Sequence, residues 1–180
     1  MSRALKLAVA VAVAFGGLLF GGTAAFAQTP ASGAIQVWVT PQNSNTAPAP
    51  ILLTGVIGDH GKAVNVTSSG KPTKKNLHYK LLELKKGTIL INGTAIDQAG
   101  NNANPTINPS NCSAYITATA TIPILSGTGE YSGITGSIAM TETFAFLLPT
   151  KKNGTCNESN SANPVSQWGT LYGSGTVSFG

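Results

Sequence analysis

Arginine occurs once in these 180 residues, at Arg3, and acidic residues number only six. Without arginine the rest of the chain lacks the planar fork that reads phosphate and guanine bidentately, so a nucleic-acid partner is not expected. Cysteine is limited to Cys112 and Cys156, and histidine to His60 and His78. Four such residues, the histidines far from the cysteines in sequence, give no zinc spacing. No phosphate-binding glycine motif and no carboxylate-rich calcium loop appears either. The sequence therefore calls for no cofactor and no metal. Sustained 3.6-residue periodicity is also missing beyond the first 27 residues, which argues against a helical bundle.

What the chain does have begins with its N-terminus. Arg3 and Lys6 give a basic start, Leu7 to Phe20 is an uncharged apolar and glycine run, and Ala25-Phe26-Ala27 places small residues at −3 and −1. That order is the pattern of a secretory signal peptide over residues 1–27, with cleavage after Ala27. The run is shorter than the roughly 20 residues of a membrane-spanning helix. No second run is long enough, so no span is expected after cleavage. The expectation is an exported protein, secreted or at the cell surface or in the periplasm, with one domain over residues 28–180.

That domain carries nine lysines and six acids, a net charge of +3. Lys71, Lys74, Lys75, Lys80, Lys85 and Lys86 fall in one short stretch. The favoured reading is a solvated strand edge kept from aggregation by lysine, with an anionic-surface patch as the alternative. Two thiols in an exported chain most often pair, so a Cys112–Cys156 disulfide is expected.

Short runs rich in Thr, Val and Ile, separated by Gly, Asn and Pro clusters, predict an all-β fold, a sandwich or barrel. Strands are expected over Ile35–Thr40, Ile51–Ile57, Lys62–Thr67, Leu77–Leu84, Thr88–Asn92, Ser113–Ile124, Ser137–Leu148 and Gly169–Phe179. Pro41–Pro50, Gly93–Asn111 and Pro149–Ser166 read as loops. The central hairpin is the clearest signal. Ala114, Ile116, Ala118, Ala120, Ile122 and Ile124 share one face of the first strand, and Ile138, Met140, Phe144, Phe146 and Leu148 one face of the second. Setting Ile124 opposite Ser137 puts Cys112 opposite Pro149, a short loop from Cys156.

Glu142 stands out because it lies on that second apolar face, between Met140 and Phe144. A carboxyl there is desolvated, which is how acid/base groups are often made, although a structural ion pair uses the same setting. Gly58-Asp59-His60-Gly61 reads as a turn more readily than as a catalytic Asp–His pair, and His78 as an ordinary strand residue. Among the aromatics, Trp38, Tyr79 and Tyr115 are candidates to line a ligand pocket, with plain cross-strand packing as the alternative. Tyr131, inside a glycine-rich connection, reads as an anchor plugging one barrel end.

Ile57-Gly58-Asp59-His60-Gly61, followed by Ser126-Gly127-Thr128-Gly129-Glu130-Tyr131-Ser132-Gly133, resembles the allene oxide cyclase-like barrel, a relative of the dirigent barrel. The closing Gly173–Phe179 segment resembles the last strand of exported bacterial proteins of this type. The resemblance implies an antiparallel β-barrel of about eight strands. It transfers no catalytic residue, since His60 stands where the family carries tyrosine and no family catalytic position is matched. Three functions stay open. The leading one is a non-enzymatic module binding a small apolar ligand or acting at a surface. The second is a cyclase or isomerase using Glu142, and the third a structural surface protein with no pocket. The sequence leaves the oligomeric state open.

Overall fold

The alternation in the sequence demands a surface that hides one side of every strand, and a closed sheet supplies it. A computed structural model describes residues 31–40, 47–75, 78–159 and 161–180. Residues 1–27, expected to be a signal peptide, and Leu77 lie outside the described residues. The elements are β1 (Gly33–Val39), β2 (Ala49–Gly55), β3 (Asp59–Val66), β4 (Tyr79–Leu84), β5 (Gly87–Asn92), α1 (Thr94–Asn102), β6 (Thr106–Asn108), β7 (Ser113–Gly129), β8 (Ile134–Leu147) and β9 (Ser166–Phe179). Each of the eight expected strands has its counterpart.

The sheet runs β5-β4-β3-β2-β1-β9-β8-β7, and β5 pairs back onto β7, so eight antiparallel strands close a barrel. Short β6 adds to the far end of β7. Closure bears on the lysines. With β5 paired, that stretch of strands has no edge to protect. Lys71, Lys74 and Lys75 are exposed ahead of β4, and Lys85 and Lys86 are exposed in the turn after it. Lys80 points inward instead.

The central hairpin is shifted by one residue from the expected register. Pro123 opposes Ser137 and Ser113 opposes Leu147, and Leu148 N–H donates to Cys112 O at 2.9 Å. The reason is parity. Pairing Ile124 with Ser137 would set the inward residues of one strand against the outward residues of the other. In the observed register Ala118 meets Glu142, Ala120 meets Met140 and Ile122 meets Ile138.

A second correction concerns residues 93–111, which fold into α1 and β6 rather than a plain loop. Asn92 Oδ1 accepts from Thr94 N–H at 3.0 Å and orders the chain entering the helix. Ile96, Ala99, Gly100 and Ala103 follow helical spacing, and Ile96 is buried in the core. The stripe is too short and too poor in large residues to show as periodicity. Strand β5 leaves β7 at Ile124, and α1 packs on β7 beyond that point.

Core packing is heaviest at one pole, where Ile35, Leu53, Ile57, Ile89, Ile134 and Val177 are buried around Tyr131. Past the other pole β7, β8 and β9 continue as a paired extension out to Ser113, Leu147 and Ser166. At its tip Cys112 and Cys156 form the expected disulfide, with Cα atoms 5.3 Å apart.

Candidate functional site

Three strands bring the same inward row together: Ala118 on β7, Glu142 on β8 and Leu171 on β9, with Val39 of β1 completing it. One step further in, Met140 faces Gly173, where a Cβ would collide with the Met140 sulfur. The glycine thus lets the methionine lie flat against the wall. One step outward, Ile116, Phe144 and Gly169 form the lip. The small side chains at Ala118 and Gly169 leave a cavity of about 560 Å³ in the upper half of the barrel. A volume of that size suits a small organic ligand.

Most of the wall is apolar: Val37, Ile51, Leu82, Ile91, Ile122 and Ile138 contribute to it. Into this surface project His78, Lys80, Asn65, Asp97 and Glu142. Strand alternation sends Lys80 inward beside Leu82, and the β3–β4 ladder sets it directly opposite Asn65, whose Oδ1 accepts from Lys80 Nζ. The first turn of α1 carries Asp97, and its Oδ2 lies 2.6 Å from Nδ1 of His78. Gly93 N–H donates to His78 O at 2.7 Å, so the entry of α1 is tied to the chain just before β4. Helix and strand together form one side of the mouth.

Burial governs the charges here. It pushes the Glu142 carboxyl above its ordinary value, the Asp97 carboxylate adds to that, and Lys80 opposes both. It likewise pushes the Lys80 ammonium below its ordinary value, against the pull of Asp97 and Glu142. In both cases loss of hydration outweighs the attraction between opposite charges. The cavity therefore holds a carboxyl and an amine that are each easier to neutralise than in water.

The candidates from the sequence separate cleanly. Glu142 lines the cavity, as its alternation predicted. Trp38 and Tyr115 are 49% and 51% exposed on the outer face, and Trp38 stacks on Tyr172 with ring centroids 6.2 Å apart. Trp38 thus serves cross-strand packing on that face, and Tyr115 faces away from the cavity. Tyr79 alternates with Lys80 and is not among the lining residues. Trp168 is 68% exposed and touches only the rim of the opening.

His78, Lys80 and Asp97 were missed. Lys80 was hidden because β4 reads alike on both faces, Tyr79-Leu81-Glu83 against Lys80-Leu82-Leu84. The available signal was the inward partner row of β3. Asp97 was hidden by reading its helix as a loop.

Asp59 sits at the opposite pole, 6% exposed, accepting from Tyr131 Oη at 2.6 Å and from Lys86 N–H at 3.0 Å. The Asp59-His60 pair is thus structural, with His60 exposed on the outer surface. Tyr131 is the expected anchor, 1% exposed. Among the described residues no three His, Cys, Asp or Glu cluster to hold a metal ion, and no helix is long and apolar enough to cross a membrane. No protein-family model, no curated protein and no solved structure matches this chain.

Proposed function

We propose that this protein is exported and works as a small-molecule-binding β-barrel, taking a largely apolar ligand with one polar end into the cavity beside Glu142. One observation carries the reading: an apolar wall converges on a single polar cluster, the arrangement by which pockets combine affinity with orientation. Export is supported by the basic, apolar and small-residue order of residues 1–27 and agrees with the disulfide. Kinship with the allene oxide cyclase-like and dirigent-like barrels is part of the proposal. Strand number speaks for it, and no match to another chain carries it.

A second reading, a cyclase or isomerase, is favoured by the raised proton affinity of Glu142. A carboxyl that holds its proton to higher pH than a solvated one is suited to give and take it in catalysis.

The test is titration with N-phenyl-1-naphthylamine, a neutral apolar fluorophore. Saturable one-to-one binding is expected for the wild type. Ala118→Phe fills the cavity opposite Glu142 and should weaken binding about tenfold or more, which is about 1.4 kcal/mol. Binding that Ala118→Phe leaves intact would place the fluorophore elsewhere and remove the reading. Glu142→Gln separates binder from enzyme, since only an enzyme loses turnover while keeping its ligand.

A further inference from the structure

The polar cluster constrains the chemistry of the ligand's polar end. A carboxylate or phosphate entering the cavity meets Lys80 and also the carboxyls of Glu142 and Asp97, so an anion is opposed as much as it is attracted. A cation is drawn by the carboxyls and opposed by Lys80. A neutral polar group meets neither objection. Among neutral groups a carbonyl has a further partner here, because the cavity presents a primary amine and a carboxyl together.

We propose that the cavity captures apolar aldehydes or ketones covalently, through an imine to Lys80 with Glu142 as the proton relay. This deepens the binding reading and rests on it. The geometry supplies each part. Strand β4 aims Lys80 into the cavity, Asn65 on the paired strand accepts from Nζ and fixes its direction, and Glu142 enters from the facing wall. The apolar walls take the body of the ligand and thin the water around the reacting atoms.

The chemistry balances without any oxidant or metal. The neutral Lys80 nitrogen attacks the carbonyl carbon, forming the C–N bond while the C=O π pair moves to oxygen. That oxygen takes a proton from the Glu142 carboxyl, and the nitrogen gives one back to the carboxylate, leaving a carbinolamine. A second protonation by Glu142 lets the hydroxyl depart as water as the nitrogen pair forms C=N. The remaining N–H proton returns to Glu142. Reversal needs only water. Burial favours the neutral amine that begins the sequence and the protonated carboxyl that assists it.

Octanal with sodium cyanoborohydride, applied to the purified oxidised protein, tests this, with adducts mapped by peptide mass spectrometry. Lys80 is expected to be alkylated about tenfold faster than the solvent lysines Lys71, Lys74 and Lys75, because burial favours the neutral, nucleophilic form of its amine. Octanol, which has no carbonyl, should protect Lys80 and displace N-phenyl-1-naphthylamine. Glu142→Gln should slow Lys80 alkylation by a larger factor than it changes octanol affinity, since the carboxyl relays protons as well as lining the cavity. An unmodified Lys80, or one modified no faster than the solvent lysines, overturns the inference while octanol displacement keeps the binding reading standing. Failure of octanol to displace the fluorophore overturns the binding reading and the inference with it. The mapping uses wild-type protein, so it does not depend on the folding of a Lys80 variant.

Discussion

Tyr131 Oη donates to Asp59 Oδ2 at 2.6 Å across 72 residues of chain, at the closed pole of the barrel. The same carboxylate accepts from the backbone N–H groups of His60, Lys85 and Lys86. One buried acid thus joins the start of β3, the β4–β5 turn and the β7–β8 connection. Burial alone would raise its pKa, and the hydrogen bonds from Tyr131, His60, Lys86 and Lys85 together hold it below the ordinary 3.8.

Removing this knot has a readable cost. Tyr131→Phe should lower stability by about 1–2 kcal/mol, and Asp59→Ala by about 3 kcal/mol or more, because it strands a buried hydroxyl and several amides. The pH dependence has a definite sign. Asp59 is depressed, so its contribution is present above pH 3.8 and is lost as pH falls through its lower folded value. Tyr131 is raised by burial and by Asp59, so its contribution is present below pH 10.0 and is lost as pH rises through its higher folded value. Urea melts across pH should show the acid limb flatten in Asp59→Asn and the alkaline limb flatten in Tyr131→Phe.

Glu142 behaves in the opposite sense to Asp59. Its raised pKa means that the fold favours the protonated carboxyl, so the contribution is complete below the ordinary 4.5 and is lost as pH rises through the folded value. Glu142→Gln should therefore melt above wild type at pH 7, and the gap should close near pH 4. Thermal melts at the two pH values check this. A variant less stable at pH 7 would mean that Glu142 stabilises the fold as an ion.

The contrast between these two acids shows what was legible in the sequence. Glu142 was readable because its strand alternates strictly and all its same-face neighbours are apolar. Asp59 was not, because its burial comes from loops and turns brought together by closure, which no local pattern encodes. The eight strands and the disulfide followed from period-two alternation and cysteine count. The hairpin register was wrong by one residue, although matching the inward faces of Ala118 and Glu142 would have fixed it. Helix α1 escaped because alanine and glycine fill most of its inner stripe, and with it went Asp97 and the role of His78.

Trp38 and Tyr115 were read as possible ligand contacts, and their outward placement gives a clean prediction. Trp38→Ala should cost about 0.5–1.5 kcal/mol by losing its stack on Tyr172. It should leave binding of N-phenyl-1-naphthylamine unchanged, as should Tyr115→Ala. A tenfold loss in either variant, with the fold intact by circular dichroism, would mean that the ligand sits on the outer face.

Cys112 combines two features whose energies oppose each other. It closes a 44-residue separation with Cys156, and it alone among the described non-glycine residues has positive φ, at 57°. The closed loop stabilises the fold by about 4 kcal/mol in the chain-entropy model, while a left-handed residue with a Cβ costs roughly 1–2 kcal/mol. The hydrogen bonds from Cys112 N–H to Asn108 O and from Leu148 N–H to Cys112 O hold the backbone in that conformation whether or not the sulfurs are joined. Two double variants separate the terms. Cys112→Ala with Cys156→Ala loses the cross-link and keeps the strain, so its melting temperature should fall by roughly 10 °C. Cys112→Gly with Cys156→Ala loses both and should recover up to about 1 kcal/mol of that loss, since glycine enters the left-handed region without a clash. Equal stability of the two would mean that the backbone relaxes to negative φ once the disulfide is gone, making the cross-link the cause of the conformation rather than its beneficiary.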